Sequence, residues 1–491
     1  MSRCLPTGNM ESFPISQVPV LPWDDFLDWI VDGVVQGERL ISLFHRQDDI
    51  VCSVLADDSR GSLSVAMGRF DGRFYRALTP VCPQAHMFER DMAERGGPVP
   101  EGHPWLKPVR FPGGGALGSS VGDMDFYRVR GEEVHEVAVG PVHAGVIEPG
   151  HFRFQCYGEV VLHLEISLGY QHRGVERLFE APLSVGQAIA AESIAGDSTA
   201  GHAGAYCGAM EALARCEVEP RAWAVRCVAQ ELERVACHIG DIGAMAGDVG
   251  YLPTSSFCGR IRGDVLNLTA SICGNRFSRG LFRPGGVLWD IDDSMAKDLL
   301  KSLARIRSEA TDAIGLLWNC PTVMARFENT GVLSILDCES LGLVGPAARA
   351  CGVTRDARHS FPYWFYRFRP IKVAVESGGD VLARARVRWS ELENSFDYLE
   401  ALLSDLPRSP VMASAGELEP SSMAVSITEG WRGEIVHVAV TDRTGKVEDY
   451  RVVDPSFHNW IGLATSMRNR GISDFPLCNK SFNLSYCGFD L

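Results

Sequence analysis

Residues 188–213 read AIAAESIAGDSTAGHAGAYCGAMEAL, a run of small residues that carries one histidine and one tyrosine. A strand-like stretch before it ends in GYQHRGVE at residues 169–176, and a GPVH loop lies upstream at residues 140–143. His202 and Tyr206 are four residues apart, so on a helix they share a face. This order of loop, turn and small-residue segment is the most informative pattern in the chain.

Composition excludes several classes of protein. The chain has 491 residues, enough for two or three domains, and its net charge of -15 argues against a nucleic-acid partner. No apolar run reaches the roughly 18 residues of a membrane span, and the first 20 residues lack a signal-peptide core. No two of the 15 cysteines are three residues apart, so CxxC metal and redox signatures are absent from the sequence. We expect reduced thiols and no metal bound by this chain.

The sequence divides into four parts. Residues 1–22 are predicted to be a flexible tail, and residues 23–112 an α+β domain with a helix from Trp23 and strands from Ile50, Leu63 and Phe74. The glycine-rich run GGGALGSS opens a linker over residues 113–133. Residues 134–491 are predicted to form the second domain.

Apolar residues in the second domain repeat at helical spacing in three long stretches, at residues 225–242, 295–317 and 385–403. Several such stripes predict a helix bundle with sites between facing helices. Alternating residues predict two strands over residues 152–166 and further strands at residues 434–440 and 450–453. The fold class is therefore predicted as α+β, with an α+β domain followed by a mainly helical bundle that carries small sheets.

The GPxH loop, the HRGxE turn and the segment from Ala195 resemble the large subunit of membrane-bound [NiFe]-hydrogenases and the quinone-site large subunit of respiratory complex I. A hydrogenase reads CGxCGFxH where this chain reads AGDSTAGH at residues 195–202. Further matches in family order are ELER at 231–234, GPAAR at 345–349 and WRGE at 431–434. The resemblance places Ala195 and Ser198 at the first cysteine pair, and Ser485 and Gly488 at the second. A nickel–iron centre needs soft thiolates, so this set predicts a chain without that metal.

Residues 87–112 resemble the signature of the 30-kilodalton-type peripheral subunit of complex I, which related membrane hydrogenases carry fused ahead of the large subunit. The matching residues include Glu89, Arg90 and His103. In the family this motif docks the subunit against its large partner, so these three residues are predicted to serve docking. An ordinary charged loop is the alternative.

The complex I relative uses the vacated metal cavity for a quinone head group. By resemblance, the cavity here is bordered by Ala195, Gly196, Asp197, Ser198, Ser485 and Gly488. The tyrosine of that family falls at Gly196 and its histidine near Pro149. His143 and His151 flank Pro149, and either is a candidate substitute. Asp248 and His202 complete the predicted catalytic set with His143, because carboxyl and imidazole groups suit proton transfer; a structural role is the alternative for each.

These features favour an oxidoreductase subunit. It is expected to receive electrons from an Fe–S small subunit of complex I type, pass them to quinone, and act with antiporter-like membrane subunits in ion translocation. It is expected to bind no cofactor itself and to lie on the cytoplasmic side of the cell membrane as a peripheral subunit. The alternative is a redox-inactive subunit that couples conformations within such a complex; an active hydrogenase is the least favoured interpretation.

Overall fold

The computed structural model describes residues 3–47, 49–112, 117, 120–122, 124–143, 147–180 and 184–491. Its strands are β1 Leu5–Thr7, β2 Glu11–Pro14, β3 Val20–Pro22, β4 Arg39–His45, β5 Ile50–Asp57, β6 Ser62–Arg69, β7 Phe74–Arg76, β8 Val99–Glu101, β9 Val134–Val139, β10 His151–Tyr157, β11 Val160–Ser167, β12 Phe282–Arg283, β13 Gly286–Val287, β14 Ser422–Gly430, β15 Gly433–Thr441, β16 Val447–Val453 and β17 Arg470–Gly471. Its helices are α1 Trp23–Val35, α2 His86–Glu94, α3 Glu176–Phe179, α4 Val185–Ala191, α5 Thr199–Leu213, α6 Pro220–Asp248, α7 Leu252–Cys273, α8 Asp293–Trp318, α9 Pro321–Phe327, α10 Ile335–Leu341, α11 Gly345–Arg349, α12 Ala357–Ser360, α13 Val381–Ser404, α14 Pro455–Ser466, α15 Phe475–Phe482 and α16 Tyr486–Asp490. This mixture confirms the predicted α+β class.

The N-terminal part is a sheet with α1 packed across it. The strands run in the order β1-β6-β5-β4, and β3 joins β6 in parallel. Phe26 on α1 lies where a side chain on Gly68 of β6 would be, so glycine at this position allows the close approach of helix and sheet. The predicted helix and three predicted strands are present, and β4 was not predicted.

The prediction of a flexible tail over residues 1–22 is wrong for the residues that the structure describes. β2 pairs with β14, with Phe13 opposite Met423, so the N-terminal segment extends a sheet of the second domain. Asn9 adds a buried clamp, because its side chain exchanges hydrogen bonds with both backbone groups of Ile427. The partner strand of β2 lies more than 400 positions away, and β1 and β3 pair with β6, so local composition does not reveal these pairings.

Seven of the 21 residues of the predicted linker, residues 113–133, fall outside the described residues. Of the run GGGALGSS, residues 113–116, 118 and 119 are not described. On its far side β9, β10 and β11 form an antiparallel sheet with β17 at its other edge. The strands β10 and β11 match the pair that alternation predicted.

Four long helices, α6, α7, α8 and α13, pack together as the centre of the second domain. Three of them coincide with the three predicted apolar stripes, and α7 lacked a clear stripe. In the part of the chain that the structure describes, none of the helices combines the length and the apolar character needed to cross a membrane.

Helix α5, which carries the central segment, lies on the sheet β16-β15-β14-β2. Its glycines allow this contact: a side chain on Gly201 would meet Ile435 of β15 at 2.7 Å, and one on Gly208 would meet Ser426 of β14 at 2.6 Å. The small residues of α5 therefore place its N-terminal end, and His202 with it, directly against the strands.

Candidate functional site

The four positions that a hydrogenase fills with cysteines meet at the N-terminal end of α5. They are Ala195, Ser198, Ser485 and Gly488. The first pair lies in the loop before α5 and the second at the start of α16. Arg432, from the turn between β14 and β15, joins the two sides, because it donates to Ser198 Oγ at 3.2 Å and to the Asn483 carbonyl at 2.5 Å. Arg432 therefore links the segment of the first pair to the segment just before the second, although the two are far apart in sequence.

Arg432 forms a two-bond ion pair with Asp197. Its Nη1 lies 2.6 Å from Asp197 Oδ1 and its Nη2 lies 2.8 Å from Oδ2. The Trp431 indole N–H donates to the Asp197 carbonyl at 2.7 Å, and the Arg432 guanidinium stacks 3.9 Å from the centre of the same ring. Burial opposes the charge of Arg432, but Asp197 outweighs burial and raises the pKa of the guanidinium. A cation thus lies between the former ligand positions.

The residues at these positions do not fit a nickel–iron centre. Ala195 offers no donor atom, and a side chain on Gly488 would lie 2.6 Å from Asp454 Oδ2. Ser198 Oγ accepts the bond from Arg432, and Ser485 Oγ accepts the backbone N–H of Gly488 at 2.9 Å as a helix cap. Neither hydroxyl replaces a soft thiolate. Within the described ranges, no group of three or more His, Cys, Asp or Glu side chains is arranged to hold a metal ion.

His202 begins a buried line of titratable side chains behind this site. Its Nε2 lies 3.0 Å from Asp454 Oδ2, and its Nδ1 lies 3.1 Å from Nε2 of His437. The Nδ1 of His437 lies 2.7 Å from the Tyr450 hydroxyl. Burial raises the pKa of the Asp454 carboxyl, but the bond from His202 outweighs it, so the pKa is lowered overall. The four side chains form one continuous hydrogen-bonded chain.

Glu233 of α6 satisfies the first backbone groups of α5. Its carboxylate accepts the N–H of Ala200 at 2.7 Å and that of Gly201 at 3.3 Å. Burial raises the pKa of Glu233 to about 8 with help from the nearby charge of Asp197, against the effect of these two bonds. This carboxyl therefore changes its protonation near neutral pH.

A cleft of about 340 Å³ opens beside the ion pair, between α6, α7 and α15. Its walls include Asp197, Cys237, Asp241, Arg262, Trp431 and Lys480. Of the six predicted cavity residues only Asp197 lines this cleft. Ala195, Ser198, Ser485 and Gly488 are buried, because Arg432 and Asp454 fill the space beside them. Gly196 is half-buried.

The predicted catalytic residues lie in three different places. Asp248 ends α6 and is exposed, with its charge near that of Lys480 on the cleft; partial burial of the carboxyl raises its pKa, and Lys480 opposes this. His202 is fully buried in the chain described above. His143 stacks on Phe152, with the ring centres 5.8 Å apart. The structure therefore does not bring these three side chains together.

His151, the other candidate near Pro149, packs against Phe126 with ring centres 4.9 Å apart. Its Nε2 and the Nδ1 of His143 are both buried without a hydrogen-bond partner among the described residues. Among the described residues, neither imidazole forms a hydrogen bond with His202 or Asp197. Both histidines lie beside the sheet β9–β11, away from the ion pair.

The three predicted docking residues form their hydrogen bonds with nearby residues of the N-terminal part. Glu89 accepts four bonds from residues 75–79, including the Thr79 hydroxyl at 2.6 Å. Arg90 donates to the carbonyls of residues 107 and 108, and His103 Nε2 lies 3.2 Å from the His86 carbonyl. Their neighbours make the contacts to the second domain: Phe88 packs on Phe457, and Lys107 pairs with Glu165. The three side chains thus stabilise the conformation of residues 75–108 and do not themselves contact the second domain in these bonds.

The sequence interpretation missed Asp454, His437 and Tyr450, and it noted Arg432 only as part of the WRGE match. Arg432 lies in the WRGE motif and His437 in the strand predicted at residues 434–440, so the sequence did indicate that the two residues are close along the chain. Asp454 sits before Pro455, a pattern typical of a helix start, and it does cap α14. No spacing in the sequence linked these residues to His202.

The chain is similar in sequence to several known proteins. Residues 248–422 match the sequence profile of the respiratory-chain NADH dehydrogenase 49-kilodalton subunit. The chain is 31% identical over 350 residues to the carbon monoxide-induced hydrogenase of Rhodospirillum rubrum, a match that covers 71% of this chain and 97% of that protein. It is 30% identical over 356 residues to an NADH-quinone oxidoreductase subunit of Herpetosiphon aurantiacus, covering 71% and 96%. It is 27% identical over 434 residues to formate hydrogenlyase subunit 5 of Escherichia coli, covering 84% and 76%.

The fold and these relatives define a subunit of an oxidoreductase complex, of the kind related to complex I and to hydrogenases. The chain belongs to the family of the 49-kilodalton subunit of respiratory-chain NADH dehydrogenase, which is related to hydrogenase large subunits. The predicted kinship is thereby confirmed for the large subunit. The likeness of residues 23–112 to the 30-kilodalton-type subunit stays a prediction.

Proposed function

We propose that this chain is the large subunit of a membrane-associated, complex I-like oxidoreductase that works without a nickel–iron centre. It passes electrons from an Fe–S partner subunit to a quinone-like acceptor, and antiporter-like membrane subunits couple this reaction to ion translocation. The chain itself binds no metal and attaches to the membrane subunits as a peripheral protein on the cytoplasmic side.

The cleft beside Asp197 carries this proposal. Its volume of about 340 Å³ is within the usual range for sites of small organic ligands. The side chains of Lys480 and Arg262 on its walls make no hydrogen bond with the described part of the chain, so they are free to donate to the carbonyl oxygens of an acceptor. The indole of Trp431 supplies an apolar surface for a ring. The cleft includes Asp197, which lies between the two positions that align with the first cysteine pair of hydrogenases.

The N-terminal residues 23–112 are proposed to act as the fused 30-kilodalton-type module. The match to formate hydrogenlyase subunit 5 covers 84% of this chain, whereas residues 1–112 make up more than a fifth of it. That match therefore includes part of the N-terminal region. Docking of this region on the second domain through Phe88 and Lys107 agrees with such a module.

One observation favours the alternative of a redox-inactive coupling subunit. The Asp197–Arg432 pair and Asp454 close the space between the former ligand positions, so an acceptor has no access to their centre. In that case the buried ion pair is a structural bridge between α5 and the C-terminal segment, and the cleft holds only water.

Blocking the cleft tests the proposal. Gly259 lies on its α7 wall, and a Cβ at this position meets no other heavy atom within 4 Å, so Gly259→Phe is expected to obstruct the cleft with little effect on the backbone. Gly315 on α8 is equally open but lies elsewhere, which makes Gly315→Phe the matched control. In the purified complex, Gly259→Phe is expected to lower quinone-dependent turnover about tenfold or more, while Gly315→Phe does not.

Reduction of the Fe–S clusters by the donor is expected to be unchanged in both variants. Equal turnover of the two variants would contradict an acceptor site in this cleft. An otherwise active complex that shows no quinone-dependent turnover would contradict the redox function and support the coupling subunit.

A further inference from the structure

The cleft beside Asp197 is lined by side chains of both charges. Its walls carry the carboxylates of Asp197 and Asp241 and the cations of Arg262 and Lys480. The whole chain has a net charge of -15, so unpaired positive charge at this cleft would be opposite in sign to the rest of the protein. Which of these four groups already has a partner therefore decides what the cleft attracts.

Each carboxylate of the cleft is balanced by an arginine inside the protein. Asp197 pairs with Arg432 at 2.6 Å, and Asp241 Oδ2 accepts a bond from Arg388 Nε at 2.8 Å. The side chains of both arginines are buried. The negative charges on the cleft walls are thus neutralised from behind, and they do not neutralise the cations on the opposite walls.

The two cations of the cleft have no such partner. Arg262 and Lys480 are both half-buried, and neither forms an ion pair or a side-chain hydrogen bond in the part of the chain that the structure describes. The nearby carboxyl of Asp248 is exposed; partial burial raises its pKa, and Lys480 opposes this without bonding to it. The cleft therefore presents an excess of positive charge.

The shape of α6 holds Arg262 at the cleft. A side chain on Gly240 would begin 2.8 Å from Cδ of Arg262 and 3.2 Å from its Nε, so the glycine leaves the space that the arginine occupies. Beside the loop that carries Asp197, a side chain on Gly196 would begin 3.7 Å from Nη2 of Arg279. Arg279 is exposed and forms no ion pair within the described ranges, so it adds a third cation next to the cleft.

We infer that the acceptor bound in this cleft carries a negative charge, as a quinone with an acidic substituent does. This inference rests on the proposed function, because it concerns the same cleft. Arg262 and Lys480 donate charge-assisted hydrogen bonds to the acidic group, and such bonds are about twice as strong as those between neutral groups. The Trp431 indole on the same wall contacts the ring. A cleft with charge of one sign also raises the local concentration of oppositely charged ligands.

An uncharged quinone is the alternative ligand. As it displaces water from the cleft, it leaves the ammonium of Lys480 and the guanidinium of Arg262 without a counter charge in a less polar surrounding, which opposes binding. An acidic group on the ligand removes this penalty. The charge of the acceptor, rather than its ring, is therefore the property by which this cleft distinguishes one quinone from another.

Two naphthoquinones of similar size test the inference. A naphthoquinone sulfonate has a permanent negative charge, and menadione has none. Both are titrated by calorimetry into the oxidised complex at low and at high salt, with the wild-type chain, with Lys480→Met, with Arg262→Met and with both changes together. Lys301 on α8 is exposed and does not line the cleft, so Lys301→Met is the matched control.

The wild type is expected to bind the sulfonate about tenfold more tightly than menadione at low salt, and less so at high salt because salt screens the attraction. Each single variant should reduce this ratio about threefold, and the double variant should bring it close to equality. Lys301→Met should keep the wild-type ratio. Equal affinities in the wild type, or a tenfold ratio that survives in the double variant, would overturn the inference.

Reduction of the bound quinones by the donor separates the inference from the proposed function. If the sulfonate binds with the expected preference but neither quinone is reduced, the proposed function fails and the preference for an anion stands. If both are reduced and bind equally, the inference fails alone. If the sulfonate binds the full chain by itself but not the complex, an acidic side chain of a partner occupies the two cations, and the inference is wrong. Binding to neither form also overturns it.

Discussion

The guanidinium of Arg432 lies against both carboxylate oxygens of Asp197, at 2.6 and 2.8 Å, in the segment that aligns with the first cysteine pair of hydrogenases. The same guanidinium bonds Ser198 and the carbonyl of Asn483, so it contacts both segments that carry former ligand positions. An organic ion pair therefore supplies the cross-link between these segments that thiolates and metals supply in a hydrogenase.

Loss of this ion pair is expected to destabilise the chain. Asp197→Ala leaves Arg432 buried without its charge partner, which should lower the free energy of unfolding by about 2 kcal/mol, less than for a fully buried pair because Asp197 is 34% exposed. Asp397, which is 67% exposed and pairs with Arg307 at 2.7 Å, is the control. Asp397→Ala should change the free energy by no more than about 0.5 kcal/mol. Urea unfolding of the full chain measures both, and similar losses would contradict a bridging role for Asp197.

Asn9 is expected to hold the N-terminal segment in the sheet of the second domain. Its side chain bonds both backbone groups of Ile427 and the carbonyl of Phe361, all of them buried. Asn9→Ala leaves these groups unpaired and should cost about 2–3 kcal/mol of stability. Asn319→Ala, which removes only an exposed bond within one helix, should cost less than about 0.5 kcal/mol. Should the melting temperatures of the two variants coincide, the clamp is not structural.

The raised pKa of Glu233 predicts that the stability of the chain depends on pH. Its pKa is about 8 in the folded chain and 4.5 in its ordinary state, so the folded protein holds a proton that the unfolded chain releases. The resulting stabilisation is fully present below pH 4.5 and is lost as pH rises through about 8.

Glu233→Gln removes this titration and keeps an acceptor for the N-terminal end of α5. Between pH 6 and 8 the wild type should lose about 2 kcal/mol more than the variant. Unfolding midpoints at several pH values measure the difference. Parallel curves for the two proteins would show that Glu233 is ionised throughout this range.

The sequence predicted the parts of the fold whose signals are local. The stripes over residues 225–242, 295–317 and 385–403 became α6, α8 and α13, because an apolar face repeats along each helix. The small residues of α5 gave no stripe, and their glycines matter only because β14 and β15 lie against them. The strand β2 pairs with β14 near the far end of the chain, whereas β1 and β3 pair with β6. Local composition contains no information about those partners.

The site was predicted in part for the same reason. By resemblance, the motif at residues 195–202 marked His202 and the positions that align with hydrogenase cysteines, and the prediction that Ser485 and Gly488 join them came from the same kinship. The side chains of Arg432 and Asp454 fill the space beside these positions. They do so because the segments that carry Ser198, His202, Arg432 and Asp454 come together in the fold. Asp248 and His143 were chosen by alignment, and each lies apart from His202.

The content of nickel in the purified complex tests the central claim most directly, namely that an ion pair has replaced the metal centre. Ala195, Ser198, Ser485 and Gly488 provide no thiolate, so elemental analysis should find iron from partner subunits and nickel far below one equivalent per chain. One equivalent of nickel per chain, retained through purification, would contradict the account.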